Sequence, residues 1–273
     1  MALINQQELL SKFMFDTYPY GQNPRWWPHS TILLCRCLVI SNGIQLQQSL
    51  TRSPLGGVWQ RFDNVIEYKI RHAEEKMIEY LSSNLDKILP TQVVHLRVFL
   101  SYSPCCNCAT NISKFKTALQ IKNIESTIEI IFSNFYKCSN IQEKNNQLGG
   151  LCQLVLCGIR LGVFYGVNDW NNSIHYVVGL PLDYTCIDAH SAGRQEREYI
   201  DLCIIHCIAI YSKTGLTNPA VDLLPVARAR TYAEANTAMQ DLKYPLPLVL
   251  VSPLSHLFSL LNLLRMYCRS GFF

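Results

Sequence analysis

Residues 1–8 lack a basic start followed by a long apolar stretch, so we expect no secretory signal peptide. A signal peptide requires both parts. We therefore expect the protein in the cytoplasm, the nucleus or both, where thiols stay reduced. Its twelve cysteines, scattered over 273 residues, then predict free thiols and metal ligands and not a disulfide scaffold.

The sequence also lacks a strong net charge and a disordered composition. The formal net charge is only +4, which permits a polyanionic partner but does not by itself indicate a nucleic-acid-binding protein. Hydrophobic residues make up 49% of the chain, enough to fill the core of one large domain or of one medium domain with an appendage.

Two short motifs carry chemistry: His72-Ala73-Glu74 and Pro104-Cys105-Cys106-Asn107-Cys108. One histidine and two cysteines three residues apart supply three ligands to Zn²⁺ and leave its fourth position open. Water at that position has its pKa lowered to about 7, so hydroxide is available at neutral pH. Glu74 is close enough in sequence to His72 to shuttle protons there. The motifs predict a hydrolytic zinc site with ligands His72, Cys105 and Cys108.

Helical periodicity indicates how these ligands are brought together. Pro104 suits the first turn of a helix, so Cys105 and Cys108 share one face of it and Cys106 points away. His72 begins a second predicted helix, and the N–H groups of two helix starts favour thiolates. Two alternatives remain open: a closed structural zinc with Cys106 as fourth ligand, or reduced core cysteines beside a surface histidine.

The motifs together resemble the zinc-dependent cytidine deaminases, and specifically the AID/APOBEC polynucleotide branch, whose signature is H-x-E followed by P-C-x-x-C. The preceding residues Ser101-Tyr102-Ser103 extend the resemblance, with Tyr102 where the usual member has tryptophan. The resemblance covers residues 6–170. It implies a Zn²⁺ cofactor, Glu74 as the catalytic proton shuttle, and cytosine in single-stranded DNA or RNA as the substrate.

Apolar runs and alternating patterns predict five strands, over residues 31–40, 57–63, 92–101, 126–135 and 159–167. Helices are predicted over residues 6–15, from His72, from Pro104, and in a stretch up to Cys157 between the last two strands. Such a crossover makes those two strands parallel. The resemblance implies this arrangement for the polynucleotide branch, whereas free-nucleoside deaminases commonly carry a hairpin. We predict an α/β, three-layer cytidine deaminase fold with a five-stranded mixed sheet flanked by helices.

The last third of the chain does not match the family. We assign residues 1–175 to a cytidine deaminase domain and residues 176–273 to a helical and apolar extension, with helices over 193–213 and 226–243. Residues 244–264 contain no charged side chain but are interrupted by three prolines. A buried tail is the favoured interpretation of this run, and a membrane anchor is the alternative.

Two loops offer residues for binding a polynucleotide. In the first, the resemblance implies that Asn23 contacts the target sugar. Arg25 suits a phosphate, and Trp26 either stacks a base or covers the end of the sheet. In the second, the resemblance implies that Tyr136 packs against the cytosine. By the resemblance, Lys137 occupies the position that selects the base before the target cytosine. Members of the family that select thymine have an acidic residue there, and lysine lacks that carboxylate acceptor.

Three further residues border the predicted pocket. The resemblance implies that the Ala73 N–H contacts the base carbonyl oxygen and that the Ser103 carbonyl accepts from the cytosine amino group. Tyr102 keeps an aromatic floor beside the pocket.

The sequence thus predicts hydrolytic deamination of cytosine to uracil in a single-stranded polynucleotide, DNA in preference to RNA. Two alternatives stay open. One is deamination of a free nucleoside or nucleotide, and the other is a zinc-stabilised, catalytically silent protein that binds nucleic acid or has a regulatory role. No small organic cofactor is expected.

Overall fold

A five-stranded sheet forms the centre of the structure, a computed structural model that describes residues 4–14, 31–41, 57–66, 70–90, 92–137, 147–170, 177, 183, 185, 187–189, 194–214 and 223–243. Its strands are β1 (Ile32–Ser41), β2 (Trp59–Asp63), β3 (Gln92–Leu100), β4 (Glu125–Phe132) and β5 (Arg160–Val163). Their spatial order is β2-β1-β3-β4-β5. Strand β1 is antiparallel to β2 and β3, whereas β3, β4 and β5 are parallel. The predicted mixed sheet with its last two strands parallel is confirmed.

Both faces of the sheet are apolar. Successive residues of a strand point to opposite sides, and in β1 both sets of side chains are mainly hydrophobic. In β1, Leu33 and Cys35 belong to the larger hydrophobic core, and Ile32 and Leu34 belong to a smaller one. The smaller core also contains Trp170, whose ring stacks on the ring of Phe164 with centroids 4.4 Å apart. The sheet is therefore covered on both sides, as the three-layer prediction requires.

The remaining elements surround the sheet. A short helix α1 (Gln6–Glu8) continues into a π-helical turn (Leu9–Phe13), and Val65–Ile66 pairs with Ile70–Arg71 as a small antiparallel ladder. The later helices are α2 (Ala73–Ser82), a 3₁₀ turn (Leu85–Lys87), α3 (Cys106–Ile121), α4 (Gln147–Leu156), α5 (Gln195–Thr214), α6 (Leu224–Arg228) and α7 (Tyr232–Asp241). The fifth strand is shorter than predicted, because residues 166–170 are helical.

Helix α3 connects β3 to β4, and α4 lies in the connection from β4 to β5. The two helices are in close contact at one glycine. A Cβ added to Gly150 would lie 2.8 Å from the Cα of Cys106 and 3.2 Å from the Cβ of Ala109. Glycine in a helix costs about 1 kcal/mol relative to alanine. Here the missing side chain lets α4 approach the start of α3, where the predicted metal ligands Cys105 and Cys108 lie at the N-cap and in the first turn.

Helix α5 packs against α4 and β5, and α6 and α7 pack against α5. Its buried residues Cys203, Ile204 and Cys207 belong to the same core as the sheet. The predicted helix over residues 226–243 is divided, since α6 ends at Arg228 and α7 begins at Tyr232. The domain boundary at residue 175 stays a prediction.

The apolar run 244–264 lies outside the described residues. Within the part of the chain that the structure describes, no helix has the length and apolar character needed to cross a membrane.

Candidate metal centre

His72, Cys105 and Cys108 meet in the structure as predicted. The Nδ1 atom of His72 lies 3.3 Å from the Sγ of Cys108 and 3.6 Å from the Sγ of Cys105. The three donor atoms lie within 4.8 Å of one another. Tetrahedral Zn²⁺ with bonds of about 2.0–2.3 Å needs donor atoms roughly 3.5 Å apart, so this cluster can hold a metal ion of that kind.

Two helix starts create this cluster. His72 is the N-cap of α2, and its own N–H donates to the Glu75 carboxylate at 3.1 Å. Cys105 is the N-cap of α3, which begins at Cys106, two residues later than the sequence predicts. Both caps have extended backbones, which leaves their side chains at the positive end of a helix dipole. The local electrostatics therefore favour negatively charged donors.

The protonation of the donors follows from their contacts. Hydrogen bonding with Cys108 and with His72 lowers the pKa of Cys105 to about 4. The same contact with Cys105 raises the pKa of His72 to about 9, and contact with Cys105 together with burial raises the pKa of Cys108 far above its ordinary value. Cys105 is thus a thiolate that shares the protons of its two partners. A divalent metal replaces these protons when it binds.

Cys106 does not join the cluster. Its thiol is half-buried and points toward the Asn107 side chain, with Sγ 3.7 Å from Oδ1. Among the residues that the structure describes, the candidate metal cluster consists of His72, Cys105 and Cys108. The arrangement matches the open three-ligand site and does not support Cys106 as the fourth ligand of a closed one.

Glu74 lies beside this cluster in the first turn of α2, with only 4% of its surface exposed. Burial raises the pKa of its carboxyl to about 7, and the neighbouring Cys105 adds to the rise. A carboxyl group in this environment can both accept and donate a proton near neutral pH.

The residues after β3 and β4 form a second connected part of the site. The Ser103 N–H donates to the Asn134 carbonyl oxygen at 2.7 Å, and the Tyr136 N–H donates to the Ser103 hydroxyl at 2.9 Å. The ammonium of Lys137 lies 5.2 Å from the centroid of the Tyr136 ring. The structure therefore brings the predicted pocket residues Ser103, Tyr136 and Lys137 together, two residues from the ligand Cys105.

Tyr102 and Ala73 are both buried beside these elements. Burial raises the pKa of the Tyr102 hydroxyl to about 12, against the effect of Arg197 and Arg194 nearby. The Ala73 N–H donates to the Asn64 side-chain oxygen at 2.8 Å. The expected contact of this N–H with a base thus competes with Asn64. Asn23, Arg25 and Trp26 lie outside the described residues, and their roles stay predictions.

Several residues of the site have no counterpart in the sequence-based prediction. Asn64 holds the start of α2, and the side chain of Gln147 accepts a hydrogen bond of 2.7 Å from the Cys106 N–H at the start of α3. Asn134 and Arg197 join behind the pocket. Glutamine and asparagine at element ends are weak capping signals, and a contact between distant residues has no local signal.

Comparisons with known proteins add no family assignment. The chain matches no protein-family model, and no curated protein is significantly similar to it. The functional interpretation therefore depends on the motif residues and on the geometry described above.

Proposed function

We propose that the protein is a zinc-dependent deaminase that hydrolyses cytosine to uracil in single-stranded polynucleotides, DNA in preference to RNA. The observation that carries this proposal is the placement of the buried Glu74 carboxyl beside an open set of three donors, His72, Cys105 and Cys108. Histidine and cysteine donors suit Zn²⁺. A hydrolytic site needs both an activated water and a group that moves protons.

The chemistry divides between the metal and the chain. Bound Zn²⁺ supplies Lewis acidity, which makes water a nucleophile at neutral pH. Glu74 would accept one proton from that water as a new C–O bond forms at C4 of cytosine, and would pass this proton to N3. It would then accept the second proton of the same oxygen and pass it to the amino group, so that the C4–N bond breaks, ammonia leaves and the oxygen becomes the C4 carbonyl. Water and cytosine are thereby converted into uracil and ammonia.

Two features support a polynucleotide as the substrate. By the resemblance, a helix between parallel β4 and β5 is expected in the polynucleotide branch. In addition, a base that reacts must leave its stack and enter a pocket with an aromatic wall and cationic neighbours. Tyr136, whose N–H donates to the Ser103 hydroxyl, and Lys137, whose ammonium lies over the Tyr136 ring, fit these two needs.

The test is a uracil-release assay on single-stranded DNA and RNA oligonucleotides with each of the four bases before the target cytosine. The matched control is Glu74→Gln, which preserves the size of the side chain and removes its proton chemistry. We expect turnover by the wild type, none by the variant, and one zinc per chain in both.

Other outcomes contradict the proposal in different ways. Activity that survives Glu74→Gln would refute the assigned proton shuttle. Turnover of free cytidine but of no oligonucleotide would replace the polynucleotide by a nucleoside. One zinc per chain with no turnover of either substrate would support the alternative of a catalytically silent protein that binds nucleic acid or has a regulatory role.

A further inference from the structure

The ends of β3 and β4 are joined by hydrogen bonds that run beneath the pocket residues. We call residues 101–103 and 133–136 the strand-end junction. Within it, the Ser133 hydroxyl donates to the Ser101 carbonyl oxygen at 2.9 Å, in addition to the two bonds of Ser103 described above. Cys105 follows the first segment by two residues. Any displacement of the junction is thus transmitted to both the predicted pocket and a metal ligand.

Asn134 is the centre of this junction. Its side chain is fully buried, and its Nδ2 donates to the Ser101 carbonyl oxygen at 2.8 Å and to the Phe13 carbonyl oxygen at 3.2 Å. Its Oδ1 accepts a hydrogen bond of 2.6 Å from the Nη2 of Arg197. Hydrogen bonds from a charged donor are short and strong, so the guanidinium fixes which way the amide faces.

Arg197 comes from the first turn of α5, in the part of the chain that does not resemble the deaminase family. A second arginine of this region, Arg194, is fully buried and donates to the Ser133 carbonyl oxygen at 3.1 Å and to the Phe13 carbonyl oxygen at 3.3 Å. Arg194 therefore has a structural role in the fold. Arg197 is only half-buried, and its bond ends on the side chain that orients the junction.

We propose that Arg197 is a positioning residue for the candidate active site. It orients Asn134, and Asn134 in turn holds Ser103 and Tyr136 in the geometry that a bound base requires. The expected effect on turnover rests on the proposed deaminase function, whereas the positioning of the junction does not. The helix beyond residue 175 is then part of the working site.

The experiment compares Arg197→Ala and Arg197→Lys with a matched control, Lys213→Ala. The control removes one exposed cation from the last turn of the same helix. Lysine at position 197 keeps a cationic donor that is able to reach the Asn134 oxygen. Three quantities are measured on the full chain: zinc content, amide hydrogen exchange of peptides covering the junction, and kcat and KM on single-stranded DNA oligonucleotides.

We expect Arg197→Ala to bind one zinc per chain, because no donor is touched. Its amide exchange at Ser103 and Tyr136 should be at least about tenfold faster, as the closed geometry is populated less. The value of kcat/KM should fall about 10- to 100-fold, since displacements near 1 Å have effects of that order. The loss should include a raised KM, and Arg197→Lys should restore much of it.

Exchange and kcat/KM equal to those of Lys213→Ala would overturn the proposal. If Arg197→Ala does not fold, Arg197→Lys is the deciding variant. Normal zinc content and wild-type amide exchange of the junction in Arg197→Lys would support a positioning role for Arg197. Failure of both variants to fold would show that Arg197 is required for folding instead. Absence of turnover in the wild type would refute the proposed deaminase, while the exchange measurement would still decide whether Arg197 positions the junction.

Discussion

Replacing Gly150 by alanine tests the contact between α4 and the helix that carries the cysteine ligands. Helix propensity alone favours the substitution by about 1 kcal/mol. The structure opposes it, because the new methyl group would lie 2.8 Å from the Cα of Cys106, and a backbone atom cannot turn aside as a side chain can. Overpacking of this kind costs about 1–3 kcal/mol.

The net expectation for Gly150→Ala is a free energy of unfolding lower by about 1 kcal/mol, from a cost of about 1–3 and a gain of about 1. A second effect reaches the metal. Cys106 lies between the two candidate ligands Cys105 and Cys108, and its N–H donates to the Gln147 side chain of α4 at 2.7 Å. Moving α4 away also stretches this hydrogen bond. We therefore expect weaker zinc binding.

The assay is urea unfolding of the metal-free protein, followed by zinc affinity in competition with a chelator. Leu156→Ala, at a position of the same helix with 67% of its surface exposed, is the control and should change stability by less than about 0.5 kcal/mol. A Gly150→Ala variant that is more stable than the wild type, with unchanged zinc affinity, would refute the close approach of α4 to α3.

Three further predictions concern the metal, the buried acid of α5 and the N-terminal segment. Cys106→Ser should keep one zinc per chain while Cys108→Ser should lose it, measured by metal analysis after dialysis; equal loss in both would restore Cys106 as a ligand. Glu198→Ala removes the carboxylate that accepts from the Trp170 indole at 2.8 Å and faces a buried arginine, so unfolding in urea should be easier by about 3–5 kcal/mol, and a change below about 1 would contradict its structural role. The Glu8 pKa is lowered chiefly by its hydrogen bond from Arg61, so this pair stabilises the fold above the ordinary glutamate pKa and is lost as the pH falls through the lowered one. Since both side chains are partly exposed, Glu8→Gln should cost less than about 1 kcal/mol at pH 6 and progressively less as the pH falls below the ordinary glutamate pKa in the metal-free protein; a cost that does not depend on pH would exclude the ion pair as its source.

Most of the architecture could be predicted from the sequence, because strands and helices have periods that their side chains must match. The predicted starts and ends of β1 to β4 differ from the structure by a few residues. The prediction for residues 159–167 was wrong in its second part, where residues 166–170 are helical. Apolar residues continue there, but the strand ends at Val163, and Gly166 then turns the chain with a left-handed φ of +68°.

The residues of the candidate metal cluster could be predicted for a similar reason. The spacing of Cys105 and Cys108 determines that both lie at one helix start, and the chemistry of their donor atoms determines which metals suit them. The contact with His72, 33 residues earlier, followed only from the paired motifs and the resemblance. Nothing local indicated that Asn64 would accept from the Ala73 N–H.

The sequence by itself predicted the fold class, the pairing of Cys105 with Cys108 and the position of Glu74 two residues after His72, since each depends on residue type and on spacing within one element. Helical spacing also predicted that Cys106 points away, as the structure shows. Only the tertiary structure decided that Gly150 is needed where two helices meet and that Arg197 supports Asn134. The reason is physical. Periodicity and spacing act between neighbours in the chain, whereas these two features are contacts between residues about 40 to 60 positions apart, which have no period to detect.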